Sequence, residues 1–308
     1  MGRDASYRLG VDLGGTKIEI AALDRKGREC LRRRMPAPRD DYAATLQAIS
    51  GLVNEADAAL GGQGPIGIGT PGAISPATGL LRNSNSIWLN GKALQADLET
   101  ILGREVRIAN DANCFALSEA TDGAARDAAV VFGVIVGTGT GGGIVVNRGV
   151  LTGPNAIAGE WGHNPLPWPR GDEIEGPQCY CGKRGCIETY LSGPGLAAAF
   201  ERATGRTVDA RCVVEEAASG NAAAESVLKI YEDRLARALG SVINILDPDA
   251  IVLGGGMSNA QRLYRNVPEI WGDYVFSDCV RTRLVMPRFG DSSGVRGAAW
   301  LWDSLQAR

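Results

Sequence analysis

The sequence runs Leu9-Gly-Val-Asp-Leu-Gly-Gly-Thr16 near its start, a short apolar strand that ends in a glycine turn. The same order returns at Phe132-Gly-Val-Ile-Val-Gly-Thr-Gly139, where another apolar run meets a second glycine cluster. After each turn the chain comes back as a strand, over residues 18–23 and over residues 144–146. A Walker A loop would open a helix instead, so this order predicts two copies of one strand-hairpin unit.

Apolar spacing along the rest of the chain predicts further helices and strands. Helices are expected over residues 42–60, 92–102, 112–120, 227–246 and 295–305, and strands over residues 66–70, 106–109 and 251–253. Two copies of one unit favour an α/β fold with two lobes that face a central cleft. We expect an N-terminal lobe over 1–120, completed by a C-terminal helix over 292–308, and a C-terminal lobe over 121–291.

Composition argues against several classes of protein. The net charge of −3 gives no reason to expect nucleic acid as a partner. Residues 1–8 are polar and charged, so we predict no signal peptide, and no apolar run reaches the roughly 20 residues of a membrane span. Free thiols without a secretory signal favour a reducing cytosol. We therefore expect a cytoplasmic protein without membrane or nucleic-acid partners.

The informative glycines lie in turns at the ends of predicted strands. Without a Cβ, backbone N–H groups can approach an anion closely. One such turn is weak evidence, since hairpins also use glycine for positive φ, but two in matching places favour phosphate binding. The first turn is Gly14-Gly15-Thr16-Lys17, where Lys17 adds positive charge, and the second is Gly137-Thr138-Gly139-Thr140-Gly141-Gly142-Gly143.

Two aspartates stand next to predicted strand ends. Asp12 precedes the first glycine turn, and a carboxylate there is awkward to bury for structure alone. We expect Asp12 to hold Mg²⁺ beside the phosphates, directly or through water. Asp111 follows a strand and begins a helix. It is an N-cap or the group that accepts a hydroxyl proton during phosphoryl transfer, and the two roles can coexist.

The chain has one histidine, His163, and three of its seven cysteines follow it in a cluster at Cys179, Cys181 and Cys186. Three thiolates and one imidazole form a closed tetrahedral shell, which is typical of structural zinc. A disulfide fits poorly because the remaining cysteines are scattered, and chance clustering on a glycine-rich loop is the other alternative. Four ligands leave no open position, which argues against a zinc hydrolase.

Two glutamates flank this cluster, Glu160 before His163 and Glu188 after Cys186. We interpret the zinc as a splint that holds both carboxylates against a polyol, while two solvated surface glutamates are the alternative. The second ring nitrogen of His163 would face a substrate hydroxyl. Amide side chains that suit sugar hydroxyls, but that also occur in turns, are those of Asn83, Asn85, Asn90 and Asn110.

Together these motifs resemble the ROK family of sugar kinases and repressors, which have the duplicated, ribonuclease H-like actin/hexokinase fold. The resemblance runs from about Arg8 to the end and rests on Asp12-Leu-Gly-Gly-Thr-Lys17, Gly137-Thr-Gly-Thr-Gly-Gly-Gly143, Glu160-Trp-Gly-His163, Cys179-x-Cys-Gly-x-x-Gly-Cys-Ile-Glu188 and Gly254-Gly-Gly256. It implies a cytoplasmic homodimer that contains structural Zn²⁺ and uses ATP with Mg²⁺ to phosphorylate the primary hydroxyl of a hexose.

The same resemblance implies a role for each motif residue. The catalytic aspartate falls on Asp111. Sugar contacts would come from Gly72, Asn85, Asn110, Asp111, Glu160, His163 and Glu188. Nucleotide contacts would come from Gly10, Asp12, Gly14, Gly15, Thr16, Lys17, Thr138, Gly139, Thr140, Gly141, Gly142, Gly143, Gly254, Gly255 and Gly256. The zinc ligands would be His163, Cys179, Cys181 and Cys186.

Two segments look most like the fructokinase (manno-fructokinase) branch of the family, Asn83-Ser-Asn-Ser-Ile-Trp-Leu-Asn-Gly91 and Glu160-Trp-Gly-His-Asn-Pro-Leu-Pro-Trp168. We therefore expect fructose to become fructose 6-phosphate. N-acetylglucosamine and glucose are alternatives, because kinases for those sugars share the scaffold. The alternative of a different class is a sugar-responsive ROK regulator. Such repressors carry an added N-terminal helix-turn-helix domain, which we do not expect here because the first strand begins near residue 8.

Overall fold

The computed structural model describes residues 7–303, which form two five-stranded sheets, a two-stranded sheet and flanking helices. The strands are β1 (Tyr7–Leu13), β2 (Lys17–Asp24), β3 (Glu29–Pro36), β4 (Ile66–Thr70), β5 (Ala73–Ile74), β6 (Leu81–Arg82), β7 (Val106–Asn110), β8 (Val130–Val136), β9 (Thr140–Val146), β10 (Gly149–Val150), β11 (Ala250–Gly254) and β12 (Arg283–Val285). The helices are α1 (Tyr42–Leu60), α2 (Leu94–Leu102), α3 (Asp111–Thr121), α4 (Ile187–Leu191), α5 (Gly193–Thr204), α6 (Ala210–Ala218), α7 (Ala222–Leu246), α8 (Leu263–Ile270) and α9 (Ser293–Trp300). Within residues 7–303, none of these helices has the length and apolarity that a membrane crossing requires.

The two large sheets share one strand order. It is β3-β2-β1-β4-β7 in the first sheet and β10-β9-β8-β11-β12 in the second. In each sheet the strand before the glycine turn is central. It lies beside the strand that returns from the turn, and on its other side it pairs in parallel with a later strand, β4 or β11. The α/β fold predicted from the two matching stretches is confirmed.

The first sheet carries helix α9 directly on one face. A Cβ at Gly10 in β1 would lie 1.9 Å from the carbonyl oxygen of Val295, so only glycine allows the two backbones to come this close. On either side of Gly10, Leu9 and Val11 are fully buried in the core that also contains residues of α1. The resemblance grouped Gly10 with the nucleotide contacts, which stays a prediction; the structure shows that Gly10 also allows α9 to pack on the sheet.

The second glycine cluster belongs partly to a strand rather than to a turn. We expected a turn through Gly143, whereas β9 already begins at Thr140. The reason is close packing, because a Cβ on Gly143 would lie 2.4 Å from the carbonyl oxygen of Ala112 in α3. Glycine within a strand often marks such an approach of another backbone. The sequence pattern does not distinguish this use of glycine from its use in a turn.

Several helices differ from their predicted bounds. The helix predicted over 227–246 begins at Ala222, because the side chain of Asn221 accepts hydrogen bonds from the next backbone amides and caps it. Helix α9 ends at Trp300, short of the predicted end, and residues 304–308 lie outside the described part of the chain. Helices α4, α5, α6 and α8 were not predicted.

The chain divides into two compact units. Unit 1 comprises the described residues up to Asp127, Gly143–Ala158 and the described residues from Asp291 onward. Unit 2 comprises Ala128–Gly142 and Gly159–Gly290. The expected lobes over 1–120 with 292–308 and over 121–291 differ from these units chiefly in Gly143–Ala158. That segment belongs to unit 1, where Gly143 packs against α3.

Candidate active site

In unit 1 the turn between β1 and β2 is closed by a backbone hydrogen bond from Gly14 to the carbonyl oxygen of Lys17, at 3.0 Å. The ammonium of Lys17 lies 3.5 Å from the fully buried carboxylate of Glu19. Glu19 also pairs with Arg32 and Arg34 on β3. Arg32 also pairs with Glu29, so the arginines are balanced by acidic partners. Lys17 is the cation that lies at the end of the turn itself, where it suits an anionic ligand.

Asp12 and Asp111 lie close enough in unit 1 to repel each other. Asp12 is on β1, and Asp111 begins α3. Burial, followed by the negative charge of Asp111, raises the pKa of Asp12 from 3.8 to about 6, against the opposing effect of Lys17. Two carboxylates held in this way favour a cation that neutralises them, which fits the Mg²⁺ expected beside a polyphosphate. The expected base and the expected metal-binding residue are thus neighbours.

The amide of Asn110 is fixed at both ends. Its oxygen accepts a hydrogen bond from the backbone N–H of Ala112 at 2.9 Å, so Asn110 is the N-cap of α3. Its nitrogen donates to the carbonyl oxygen of Gly72 at 3.1 Å. The cap holds Asp111 in the first helical turn, where the helix dipole favours negative charge. Three of the expected sugar contacts, Gly72, Asn110 and Asp111, are brought together.

Asn85 is exposed on the loop of residues 83–90, between the buried residues Ser84 and Ser86. Asn90 closes this loop, because its amide accepts from the backbone N–H of Ser84 and donates to the carbonyl oxygen of Ser84, both at 2.9 Å. Asn83 takes a left-handed conformation with φ of 58°. All three asparagines are exposed, and Asn83 and Asn90 also shape the loop.

In unit 2 the glycine turn joins β8 to β9. The backbone N–H of Gly137 donates to the carbonyl oxygen of Gly139 at 2.9 Å, and the carbonyl oxygen of Gly137 accepts from Gly193 at 2.8 Å. Thr138 is exposed at the tip of the turn. Thr140 is buried, and its hydroxyl has no hydrogen-bond partner among residues 7–303. A buried hydroxyl without a partner is uncommon and suits a ligand.

The third glycine cluster lies beside this turn in unit 2. Gly254 ends β11, and the exposed Gly255 and Gly256 follow it. Gly255 has a φ of 76°, and a Cβ there would lie 2.4 Å from the carbonyl oxygen of Val136 at the end of β8. The ends of two parallel strands therefore meet next to Gly137, and backbone groups form most of this surface.

The four expected zinc ligands converge in unit 2. The Nδ1 atom of His163 and the Sγ atoms of Cys179, Cys181 and Cys186 offer ligand atoms that all lie within 4.8 Å of one another. Cys181 Sγ and Cys186 Sγ are 3.6 Å apart, and so are Cys179 Sγ and His163 Nδ1. Tetrahedral zinc with ordinary bond lengths requires about 3.8 Å and about 3.6 Å for these edges. All three thiols are free, so the donor set fits zinc and forms no disulfide.

The ring of His163 uses its two nitrogens differently. Nδ1 faces the cysteines, whereas Nε2 lies 3.0 Å from the hydroxyl of Tyr180, whose ring meets the imidazole edge-on. With Nδ1 directed at a metal, Nε2 carries the proton and donates the hydrogen bond. We expected Nε2 to face a substrate hydroxyl. In the structure the phenol of Tyr180, on an exposed side chain, takes that place.

The two glutamates of this motif differ in exposure. Glu160 is exposed, and Glu188 is half-buried with one carboxylate oxygen accepting from the backbone N–H of Thr140 at 2.8 Å. Although the Tyr180 side chain is largely exposed, desolvation of its hydroxyl raises its pKa to about 12, and the charges of Glu188 and Glu160 act in the same direction. Both carboxylates are therefore close enough to the phenol to act on it. Unit 2 gathers Glu160, His163 and Glu188 near Tyr180.

Sequence reasoning gave no role to Tyr180 or Trp161, and it took the run of Arg32, Arg33 and Arg34 for a solvated edge, whereas Arg32 and Arg34 pair with the buried Glu19. The indole N–H of Trp161 donates to the carbonyl oxygen of Gly141 at 3.0 Å, and Tyr180 contacts His163. Both residues stand inside quoted motifs, so their positions were the available signal. The signal for Arg32 and Arg34 was the period of two along a strand, which places both on one face.

The comparisons with known proteins agree with this geometry. The ROK family model matches residues 8–304. The N-acetyl-D-glucosamine kinase of Yersinia pseudotuberculosis is 41% identical over 296 residues, which are 95% of this chain and 97% of the relative. The ROK hexokinase of Thermus thermophilus has a TM-score of 0.86 at 30% identity, and the match covers 96% of this chain and 97% of the hexokinase. The ROK glucokinase of Streptomyces griseus was solved with glucose and AMPPNP. It has a TM-score of 0.76 at 25% identity, and the match covers 96% of this chain and 98% of the glucokinase.

Two sheets of matching order, each with a glycine turn, define a protein of the actin/hexokinase-like class. The family is shown by the match over residues 8–304: the chain belongs to the ROK family. The resemblance to the family's sugar kinases, expected from the five motifs, is confirmed.

Replacing Cys181 tests the zinc site. We expect the purified protein to hold about one zinc ion, and we expect Cys181→Ser to lose most of it, because three ligands no longer close the shell. Elemental analysis by mass spectrometry measures the metal content. The control is Cys279→Ser, which changes an exposed thiol outside the cluster. Full zinc content in Cys181→Ser would rule out the proposed ligand set.

Asp12→Asn tests the repulsion between the two aspartates in metal-free protein. Because the folded-state pKa of Asp12 is raised to about 6, the unfolded chain releases this proton first, and stability falls as the pH rises from about 4 to about 6. The asparagine side chain of the variant does not ionise, so its stability does not fall in this pH range. The variant should therefore be more stable than wild type by about 1–2 kcal/mol at pH 7.5, and no more stable than wild type at pH 4. Urea denaturation at both pH values measures this, and a pH-independent difference would contradict it.

Proposed function

We propose that this chain is a kinase that transfers the γ-phosphoryl group of ATP to the primary (6-) hydroxyl of a hexose, with N-acetylglucosamine as the first candidate. The observation that carries the reaction is that Asp111 lies near Asp12, beside the glycine turn of unit 1 that ends in Lys17. The candidate sugar comes from the relative that is 41% identical along nearly the whole chain. That relative favours N-acetylglucosamine over the fructose that we expected from the sequence.

Phosphoryl transfer depends on position and charge more than on a strong base. The carboxylate of Asp111 accepts the proton of the primary hydroxyl while the hydroxyl oxygen bonds to the γ-phosphorus and the bond to ADP breaks. The cap on α3 and the hydrogen bond from Asn110 to Gly72 fix where Asp111 stands. Mg²⁺, held near Asp12, would supply positive charge to the transferring phosphate. We assign the glycine turn of each unit to phosphate, through backbone amides in both and through the charge of Lys17 in unit 1.

The zinc ligands fix residues that we assign to the sugar. His163 and Cys186 each belong to the cluster, and Glu160 and Glu188 are only three and two residues away from them. Zinc would supply rigidity here and no reactive position, since the protein provides all four ligands. The imidazole N–H of His163 and the two carboxylates then offer one donor and several acceptors to sugar hydroxyls.

Fructose is the second candidate, and it rests on the resemblance of two segments alone. The segments 83–91 and 160–168, which look most like those of fructokinases, include Asn85, Glu160 and His163. These three residues are among the proposed sugar contacts, so similarity at these segments bears directly on the choice of sugar. Overall identity averages over the whole chain and weighs these positions no more than any other. The homodimer expected from the family stays a prediction.

Asp111→Asn tests the proposed base. The amide keeps the size of the side chain but does not take up a proton, so we expect turnover to fall by about 10²–10⁴-fold. Nucleotide affinity should change by less than about threefold, because the glycine turns are untouched. Initial rates and calorimetric titration with AMPPNP separate the two quantities. Near-normal turnover would remove Asp111 from this role.

A panel of hexoses tests the substrate. ADP release is followed with N-acetylglucosamine, fructose, mannose and glucose, and the ranking is set by kcat/KM. We expect N-acetylglucosamine to lead by at least about tenfold. If fructose gives the highest kcat/KM, the segments 83–91 and 160–168 indicate the substrate better than overall identity does. If no sugar stimulates ADP release, the kinase proposal falls and a sugar-binding regulator becomes the better explanation.

A further inference from the structure

The glycine turn of unit 2 is held from one side by Glu188. One carboxylate oxygen of Glu188 accepts a hydrogen bond from the backbone N–H of Thr140, at 2.8 Å. The same oxygen lies 2.6 Å from where a Cβ on Gly139 would be, so the carboxylate rests directly on the turn. A hydrogen bond to a charged acceptor contributes more than a neutral one. Glu188 therefore fixes the backbone at the base of the turn.

A second element holds the turn from the segment before His163. The indole N–H of Trp161 donates to the carbonyl oxygen of Gly141 at 3.0 Å, and its ring packs edge-on against Phe132 of β8. A Cβ on Gly162 would lie 2.0 Å from the carbonyl oxygen of Thr140, so the two backbones touch. The turn is thus clamped between residues 161–162 and Glu188.

The zinc ligands join the two halves of this clamp. His163 follows Trp161 and Gly162 directly, and Cys186 precedes Glu188 by two residues. Protein hydrogen bonds already connect the halves, including one from the backbone N–H of Ile187 to the carbonyl oxygen of Asn164 at 2.9 Å. A metal bonded to both His163 and Cys186 would fix their separation far more tightly than these bonds do. Losing it would loosen the clamp without abolishing it.

We propose that Glu188 and Trp161 are positioning residues for the glycine turn, and that the zinc cluster is thereby linked to nucleotide binding as well as to sugar binding. Metal loss relaxes the clamp, the backbone of Thr140 moves, and the amides of the turn no longer suit a polyphosphate. The inference rests on the proposed function, in which this turn binds ATP. It requires that nucleotide affinity depend on the metal even when no sugar is present.

The test measures the affinity for Mg²⁺-AMPPNP by calorimetry, without sugar, in the full-length protein. Cys181→Ser and Glu188→Ala should each weaken binding by about three- to tenfold, since each loosens a contact that orders the turn. Glu188→Gln keeps an oxygen that can accept from Thr140, so it should stay within about twofold of wild type. Trp161→Phe removes the indole N–H and keeps most of the ring, and should weaken binding about twofold.

Hydrogen exchange and a control variant exclude general unfolding as the cause. Exchange of the Thr140 amide should quicken in Cys181→Ser and Glu188→Ala, while exchange in β11 stays as in wild type. Cys279→Ser should match wild type in every measurement.

Unchanged AMPPNP affinity in both Cys181→Ser and Glu188→Ala would overturn the link and leave the kinase proposal standing. If Glu188→Gln weakens binding as much as Glu188→Ala does, Glu188 does not act through the Thr140 hydrogen bond and the positioning role is wrong. If wild type binds no nucleotide, the proposed function falls first and the link falls with it.

Discussion

Close contact between backbones is the constraint on which both sheets depend. Helix α9 lies on the first sheet only because Gly10 has no Cβ to meet Val295, and β9 reaches α3 only because Gly143 has none to meet Ala112. Glycine therefore serves at least two purposes in this chain besides capping helices such as α1, α2 and α5. Some glycines make the turns that we assign to phosphate, and others let helices and strands approach each other.

This double use of glycine explains where sequence reasoning succeeded and where it stopped. The strand before each glycine cluster, the returning strand and the matching strand orders were predictable, because apolar runs and turns repeat in the same sequence. The start of β9 was not, since a glycine in a strand and a glycine in a turn look alike until the neighbouring backbone is known. The packing of Gly10 against α9 could not be predicted for the same reason.

The residues of the candidate site also fall into two groups, those that the sequence predicted and those that it did not. Residues whose chemistry is rare were found readily: the single histidine and the clustered cysteines converge as the spacing predicted. Residues whose role depends on a partner were not found. Nothing in the sequence says that Trp161 donates to Gly141, or that three cations share Glu19, because such contacts come from chain segments that only the fold brings together. Asn90 and Asn110 both look like turn residues in the sequence, but Asn90 closes a loop through Ser84, whereas Asn110 caps α3 and bonds to Gly72.

If His163 contacts the sugar as we propose, the contact between Tyr180 and His163 would change the energetics of recognition at its Nε2 atom. The free protein already satisfies the imidazole N–H with a phenol, so an incoming hydroxyl replaces one oxygen acceptor by another of similar strength. Such an exchange adds little to affinity. A ligand that displaces the Tyr180 ring without accepting a hydrogen bond from His163 Nε2 would leave that N–H unsatisfied and bind more weakly. This position would therefore contribute to discrimination between ligands more than to tight binding.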